Sequence, residues 1–130
     1  MKYTPEKIEG LRKNQIFVFG SNESGIHCAG AARVAYDSFG AKYGLGFGFS
    51  GKTFAIPSKD WKIQTLPINV IAFYVDRFVE FAKLHPEFEF LVTKIGCGLA
   101  NLTVDQIAPL FGNHKLPENI VLPKEFYNFI

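Results

Sequence analysis

The sequence predicts an α/β fold built on a largely parallel sheet. Three observations predict it. Four short apolar runs, at 16–19, 53–57, 88–95 and 119–122, are bounded by turn-forming residues, as buried strands are. Three segments of helical composition or spacing lie between them, at 29–39, 67–84 and 104–111. Strand and helix therefore alternate, and alternation of this kind favours parallel strands joined by helical crossovers.

Each element has its own justification. Residues 1–14 are polar, and Thr4-Pro5-Glu6-Lys7 has the form of a short helix start. Ile16-Phe17-Val18-Phe19 is uninterrupted and apolar, so it reads as a strand buried on both faces, with Gly20-Ser21-Asn22 as its turn. Ala29 to Phe39 is rich in helix formers, and Gly40 stands where a C-cap glycine would. Gly44 to Gly51 holds four glycines in eight residues, which is loop chemistry. Thr53-Phe54-Ala55-Ile56-Pro57 is a second buried strand, stopped by proline.

From Pro67 to Leu84, Asn69, Asp76, Arg77, Glu80 and Lys83 recur at helical spacing. Ile71, Tyr74, Val75, Phe78, Phe81 and Ala82 form the opposite stripe. Pro67 suits the first turn and Pro86 ends the helix. Phe88 to Ile95 is the third strand, followed by Gly96 and Gly98. Thr103-Val104-Asp105-Gln106 has the capping-box form and opens a helix from Val104 to Phe111. Asn119 to Leu122 is the last strand, and the aromatics of 125–130 dock on the body.

A chain of 130 residues, 48% apolar and 20% charged, suits one domain with an ordinary core. No apolar run approaches the roughly 18 residues of a membrane span, and the first residues carry no secretory signal. Net charge is +2 without runs of like charge, so nucleic-acid binding is not indicated. The two cysteines, Cys28 and Cys97, are far apart, which suits a reduced cytoplasmic protein. Neither they nor the histidines have metal spacing, so no metal and no cofactor is expected. The fourteen Phe read as core first.

In open α/β folds ligands bind beyond the carboxyl ends of the strands. Two glycine loops fall at that edge. The first runs from Gly20 through Ser21, Asn22, Gly25, Ile26, His27 and Gly30 to Ala31 and Ala32. It joins a strand to a helix start, where free N–H groups favour an anion. The second is Lys94-Ile95-Gly96-Cys97-Gly98-Leu99-Ala100-Asn101, whose Gly-x-Gly step can wrap a diphosphate. Each is equally readable as a tight turn beside a closely packed helix.

Ser58-Lys59-Asp60-Trp61 follows the second strand. Its lysine is a phosphate contact, a nucleophile or simply a solvated side chain. Trp61 is a base-stacking residue or a packed loop aromatic. Cys28 and Cys97, with His27 nearby, allow a thiol hydrolase, against the alternative of inert packed thiols. His85 reads as a capping histidine, and His114 as a loop residue.

These stretches resemble the macrodomain superfamily, the ADP-ribose-binding fold. The pattern is similar to that of the small macrodomains that hydrolyse terminal ADP-ribose from acidic protein side chains. The resemblance spans roughly 16–112 and rests on Val92 to Leu99, on Ser21-Asn22-Glu23 with Gly25 to Ala32, and on Lys59 at a strand end. It implies a three-layer α/β/α sandwich with ADP-ribose, or a related NAD-derived nucleotide, between the Gly25–Gly30 and Gly96–Asn101 loops. It implies an ADP-ribosylated protein as partner. It also implies that Lys59 attacks the anomeric carbon of the distal ribose, assisted by a downstream aspartate.

Here that position is Ala100, whose methyl group can neither accept a proton nor stabilise a cationic ribose. Asp60 and Glu23 are the nearest acidic substitutes. The adenine-contacting aspartate of the family is not evident around Phe19-Gly20. Binding therefore carries over better than hydrolysis, and a non-catalytic nucleotide-binding or protein-interaction module is the alternative expectation.

Overall fold

The structure, a computed structural model, describes residues 2–113 and 115–130. The expected loop position of His114 lies outside the described residues. The elements run β1 (Gln15–Asn22), α1 (Gly30–Phe39), β2 (Gly48–Ser50), β3 (Thr53–Lys59), α2 (Ile68–Leu84), β4 (Glu89–Val92), α3 (Val104–Gly112) and β5 (Ile120–Val121), closed by a 3-10 turn at Lys124–Phe129. They form a five-stranded sheet in the order β2-β3-β1-β4-β5. All pairings are parallel except β2 with β3.

The central strand explains the layering. Ile16 and Val18 point to one face and Phe17 and Phe19 to the other, because side chains alternate along a strand. The Ile16 and Val18 side joins Phe54, Ile56, Phe90 and Val92 to the apolar stripes of α2 and α3. The Phe17 and Phe19 side is smaller and is covered by Ala32 and Ala35 of α1, with Ile8 and Leu11 beside it. Burial on both faces is why the run carries no polar alternation. Phe54 meets Phe78 at 5.1 Å and Phe47 at 5.4 Å between ring centroids, and truncating such a buried ring to alanine costs about 3–5 kcal/mol.

Helix ends follow the expected chemistry. Gly40 caps α1 at φ 83, in the left-handed region that glycine takes freely. Pro67 precedes α2 and His85 stands at its C-cap. Thr103 and Gln106 form the capping box of α3. Phe126 of the closing turn is buried against Phe111, as the aromatic tail predicts.

Several boundaries differ. Thr4 to Lys7 forms no helix: Thr4 is buried and bridges to Pro123, and its hydroxyl donates to Val121 O at 2.9 Å. The glycine-rich 44–51 segment is not all loop. Its Phe49 lies opposite Phe54 in an antiparallel pair, so β3 imposes a strand that composition disfavours. β1 continues through Gly20, Ser21 and Asn22, because β3 pairs with it as far as Lys59. β4 stops at Val92, where Thr93 turns its N–H and hydroxyl to Val18 O and the chain leaves the ladder.

Candidate functional site

A cleft of about 480 Å³ opens beyond the carboxyl ends of β1, β3 and β4. Both glycine loops reach it. Gly20, Ser21, Asn22, Ile26, Gly30 and Ala31 line one side, and Ile95, Gly96, Gly98, Leu99 and Ala100 another. Lys59 lines it from the end of β3. Gly25, His27, Cys97 and Asn101 are not on its wall. Lining residues not singled out from the sequence as ligand contacts are Cys28, Ala29, Ala32, Ser58, Ile63, Thr93 and Lys94.

Close backbone approach builds the two walls. A Cβ on Gly20 would lie 3.3 Å from Gly96 N, so β1 and the second loop meet here. A Cβ on Gly25 would lie 2.3 Å from Gly44 C, and Gly25 has φ 73. Gly25 therefore serves the loop rather than the cavity. Gly44 N donates to Gly25 O at 2.9 Å, and the Ser21 hydroxyl donates to Gly46 O. Asn22 is equally committed. Its Oδ1 accepts from Ile26 N at 2.9 Å and from the Ser24 hydroxyl at 2.8 Å, and its Nδ2 donates to Ile26 O at 2.8 Å. These two polar side chains shape the loop that faces the ligand space.

Several lining residues leave their backbone N–H groups without an acceptor among the described residues. The N–H groups of Ala29, Gly30, Ala31 and Ala32, at the start of α1, donate to no protein acceptor among the described residues. The same holds for Gly96, Gly98, Leu99 and Ala100. All eight residues line the one cavity. Two runs of such residues on one cavity suit an anion.

Charge points the same way. Lys59 and Lys94 are the charged residues of the described lining, which contains no carboxylate. Lys59 forms no hydrogen bond or ion pair through its side chain among the described residues. Lys94 pairs with Glu125. That contact holds the Lys94 ammonium above its ordinary value and the Glu125 carboxyl below its own.

The acidic neighbours of Lys59 are engaged elsewhere. Asp60 Oδ1 accepts from Lys62 N at 2.8 Å and Gln64 N at 2.9 Å, an Asx-type turn. Glu23 accepts from the Tyr74 hydroxyl, whose pKa is pushed up to about 12 by burial and then by that carboxylate. Neither carboxylate lines the cleft. Trp61 is neither packed nor on the cleft wall: it is 66% exposed, with the Lys62 ammonium 5.1 Å from the centre of its ring.

Ile63, in the same loop, is the one of the seven further lining residues that lies outside every stretch singled out from the sequence. It lines the cleft at φ 65, a backbone region that costs a β-branched side chain about 1–3 kcal/mol. The Asx-forming Asp60 three residues earlier is the only sequence signal for the turn.

The thiols differ. Cys28 is exposed on the cleft wall. Burial pushes the Cys97 thiol up, and Lys94 only partly offsets this. The Cys97 Sγ donates weakly to Ile95 O at 3.6 Å. Its environment is opposite to that of an activated nucleophile. His27 is buried, its Nε2–H donating to Lys42 O at 3.1 Å and its Nδ1 without a partner among the described residues. It braces the first loop against the 42–44 segment and pairs with neither cysteine. His85 Nδ1 contacts Glu87 at 2.9 Å, at the end of α2.

Among the described residues no helix is long and apolar enough to cross a membrane. Comparison with protein-family models, with curated proteins and with solved structures returns no match for this chain.

Proposed function

We propose that this chain is a macrodomain-like protein that binds ADP-ribose, or a related NAD-derived nucleotide, in the cleft between its two glycine loops. One observation carries the reading: eight residues whose backbone N–H groups have no acceptor among the described residues, together with two lysines, line a cavity with no carboxylate in its described lining. A diphosphate satisfies such donors, and a volume of about 480 Å³ is within the range of small-molecule sites. The α1 amides and the 96–100 amides grip the diphosphate from two sides, and Lys59 adds charge beside it. A three-layer sandwich is part of this reading, supported by helix packing on both sheet faces. A cytoplasmic location is also part of it, and the two free cysteines support it.

Binding without turnover is the form we favour. Hydrolysis needs a group to activate the attacking species or stabilise the ribosyl cation. Ala100 supplies neither, and Asp60 and Glu23 are held away by their own partners. The second reading, hydrolysis of ADP-ribose from acidic side chains through Lys59, draws on the place of Lys59 on the cleft wall and on its side chain having no partner among the described residues.

Calorimetric titration with ADP-ribose, with AMP and NAD as comparators, tests binding. Micromolar affinity, about 8 kcal/mol, is the expected result, and no heat at millimolar ligand at two temperatures overturns the reading. Incubation with an ADP-ribosylated glutamate peptide separates the two forms. Release of free ADP-ribose that disappears in Lys59→Ala establishes the catalytic one.

A further inference from the structure

Ile63 sits in the segment Lys59–Thr65, which folds back on itself as a small flap at the cleft rim. Lys59 and Thr65 bridge antiparallel at its base. Asp60 N donates to Gln64 O at 2.7 Å, and Ile63 N to Asp60 O at 3.0 Å. The Thr65 hydroxyl donates to Ala100 O at 2.9 Å, which fastens the flap to the second glycine loop. With the Asp60 turn, these bonds leave the backbone at Ile63 little freedom.

That backbone is left-handed, at φ 65. Glycine or asparagine occupies this region easily, and Asn101 does so here at φ 59. A β-branched residue does not. Burial does not repay the strain either. Ile63 is 41% exposed and belongs to neither apolar core. It lines the same cavity as the exposed Leu99 and the residues whose amides have no acceptor among the described residues. An apolar side chain held at a cost beside an anion cradle implies a ligand that carries an apolar face next to its phosphates.

We propose that Ile63 is a ligand-contacting specificity residue, which covers the sugar or base face of a nucleoside diphosphate while the glycine-loop amides hold its phosphates. The inference rests on the nucleotide-binding reading of the cleft and adds to it the residue that separates a nucleotide from a bare diphosphate.

The test uses the full chain and the variants Ile63→Asn and Ile63→Gly, both compatible with the left-handed backbone. Thermal unfolding is measured first, then calorimetric titration with ADP-ribose and with inorganic pyrophosphate. The expected result has three parts. The Ile63→Asn variant melts at or above the wild-type temperature. Both variants bind ADP-ribose roughly tenfold more weakly, the scale of one lost apolar contact. Pyrophosphate binding stays unchanged, so the ratio of the two affinities falls.

A lower melting temperature in both variants overturns the proposal, because Ile63 then serves folding. Unchanged ADP-ribose affinity overturns it as well, and so does an equal loss for both ligands. These outcomes require wild-type binding and leave the nucleotide reading intact. Wild-type silence toward ADP-ribose is a separate result, which overturns the nucleotide reading and this inference together.

Discussion

Lys94, on the cleft wall, forms an ion pair with Glu125 of the closing 3-10 turn. The pair gives the cavity an internal competitor for one of its two cations. Both side chains are about two-fifths exposed, at 43% and 40%, so the contact is worth about 0–1 kcal/mol. An incoming phosphate can therefore displace it. Glu125→Gln is expected to leave the melting temperature within a degree or two and to tighten pyrophosphate binding up to about fivefold. Lys94→Gln weakens it.

The pH dependence of that difference has a defined sign. The Lys94 ammonium holds the Glu125 carboxyl below its ordinary value, so the pair's stabilisation is present above the unfolded carboxylate value of about 4.3. It is lost as pH falls through the lowered folded value. The raised Lys94 value sets the alkaline limit: stabilisation is present below about 10.4 and lost as pH rises through the folded value. The ratio of Glu125→Gln to wild-type affinity is expected to be constant from about pH 6 to 8. It narrows only as pH falls through the lowered Glu125 value, where the wild-type carboxylate becomes neutral. A constant ratio across the acid range defeats the competitor role.

Two glycines of the cleft loops separate folding from binding. A side chain on Gly25 meets the Gly44 backbone at 2.3 Å, from a residue at φ 73. Gly25→Ala is expected to cost about 1–3 kcal/mol, seen as a lower midpoint in urea unfolding. A Cβ on Gly98 meets nothing within 4 Å, yet Gly98 lines the cleft. Gly98→Ala is therefore expected to change stability by less than about 0.5 kcal/mol while weakening ADP-ribose binding. The opposite pattern would show that the cavity is a by-product of loop packing.

What the sequence made legible follows from how local each cause is. The strand-to-glycine steps at Phe19-Gly20 and Ile95-Gly96 are written in adjacent residues, and both reach the cleft. Thr103 and Gln106 sit at capping-box spacing, and the box forms. β2 was hidden because its cause is remote: Phe49 pairs with Phe54, and nothing within 44–51 announces it. The side chains nearest Lys59 misled for the same reason. Asp60 is spent on Lys62 N and Gln64 N, and Glu23 on Tyr74 of a distant helix. Ile63 was unreadable because left-handed turns announce themselves by Gly or Asn, and here the turn is made by an Asp side chain around an isoleucine.

The Asp60 turn yields a prediction that separates structure from acid–base chemistry. Asp60→Asn keeps an acceptor oxygen for Lys62 N and Gln64 N, whereas Asp60→Ala removes it. Losing these bonds is expected to cost about 0.5–1.5 kcal/mol. Asp60→Ala is expected to weaken ADP-ribose binding as well, since the turn sets Ile63 at the rim. Asp60→Asn should match wild type in melting temperature and affinity. A loss of affinity in Asp60→Asn equal to that in Asp60→Ala would mean that the charge, not the turn, matters.

The two thiols offer the least invasive test of where the ligand sits. Cys28 is exposed on the cleft wall, immediately before the α1 amides, whereas Cys97 is half-buried and raised by burial. Burial disfavours the Cys97 thiolate, and access favours Cys28. Iodoacetamide at neutral pH is expected to label Cys28 well before Cys97, read by peptide mass spectrometry of the native protein. Because Cys28 shares the cavity with Gly30 and Gly98, saturating ADP-ribose should slow its labelling several-fold. Cys97 in the same sample is the internal control for a general change in exposure. Protection of Cys97 alone would move the ligand off this cleft, and Cys28 left unprotected at saturating ligand would remove the first glycine loop from the binding surface.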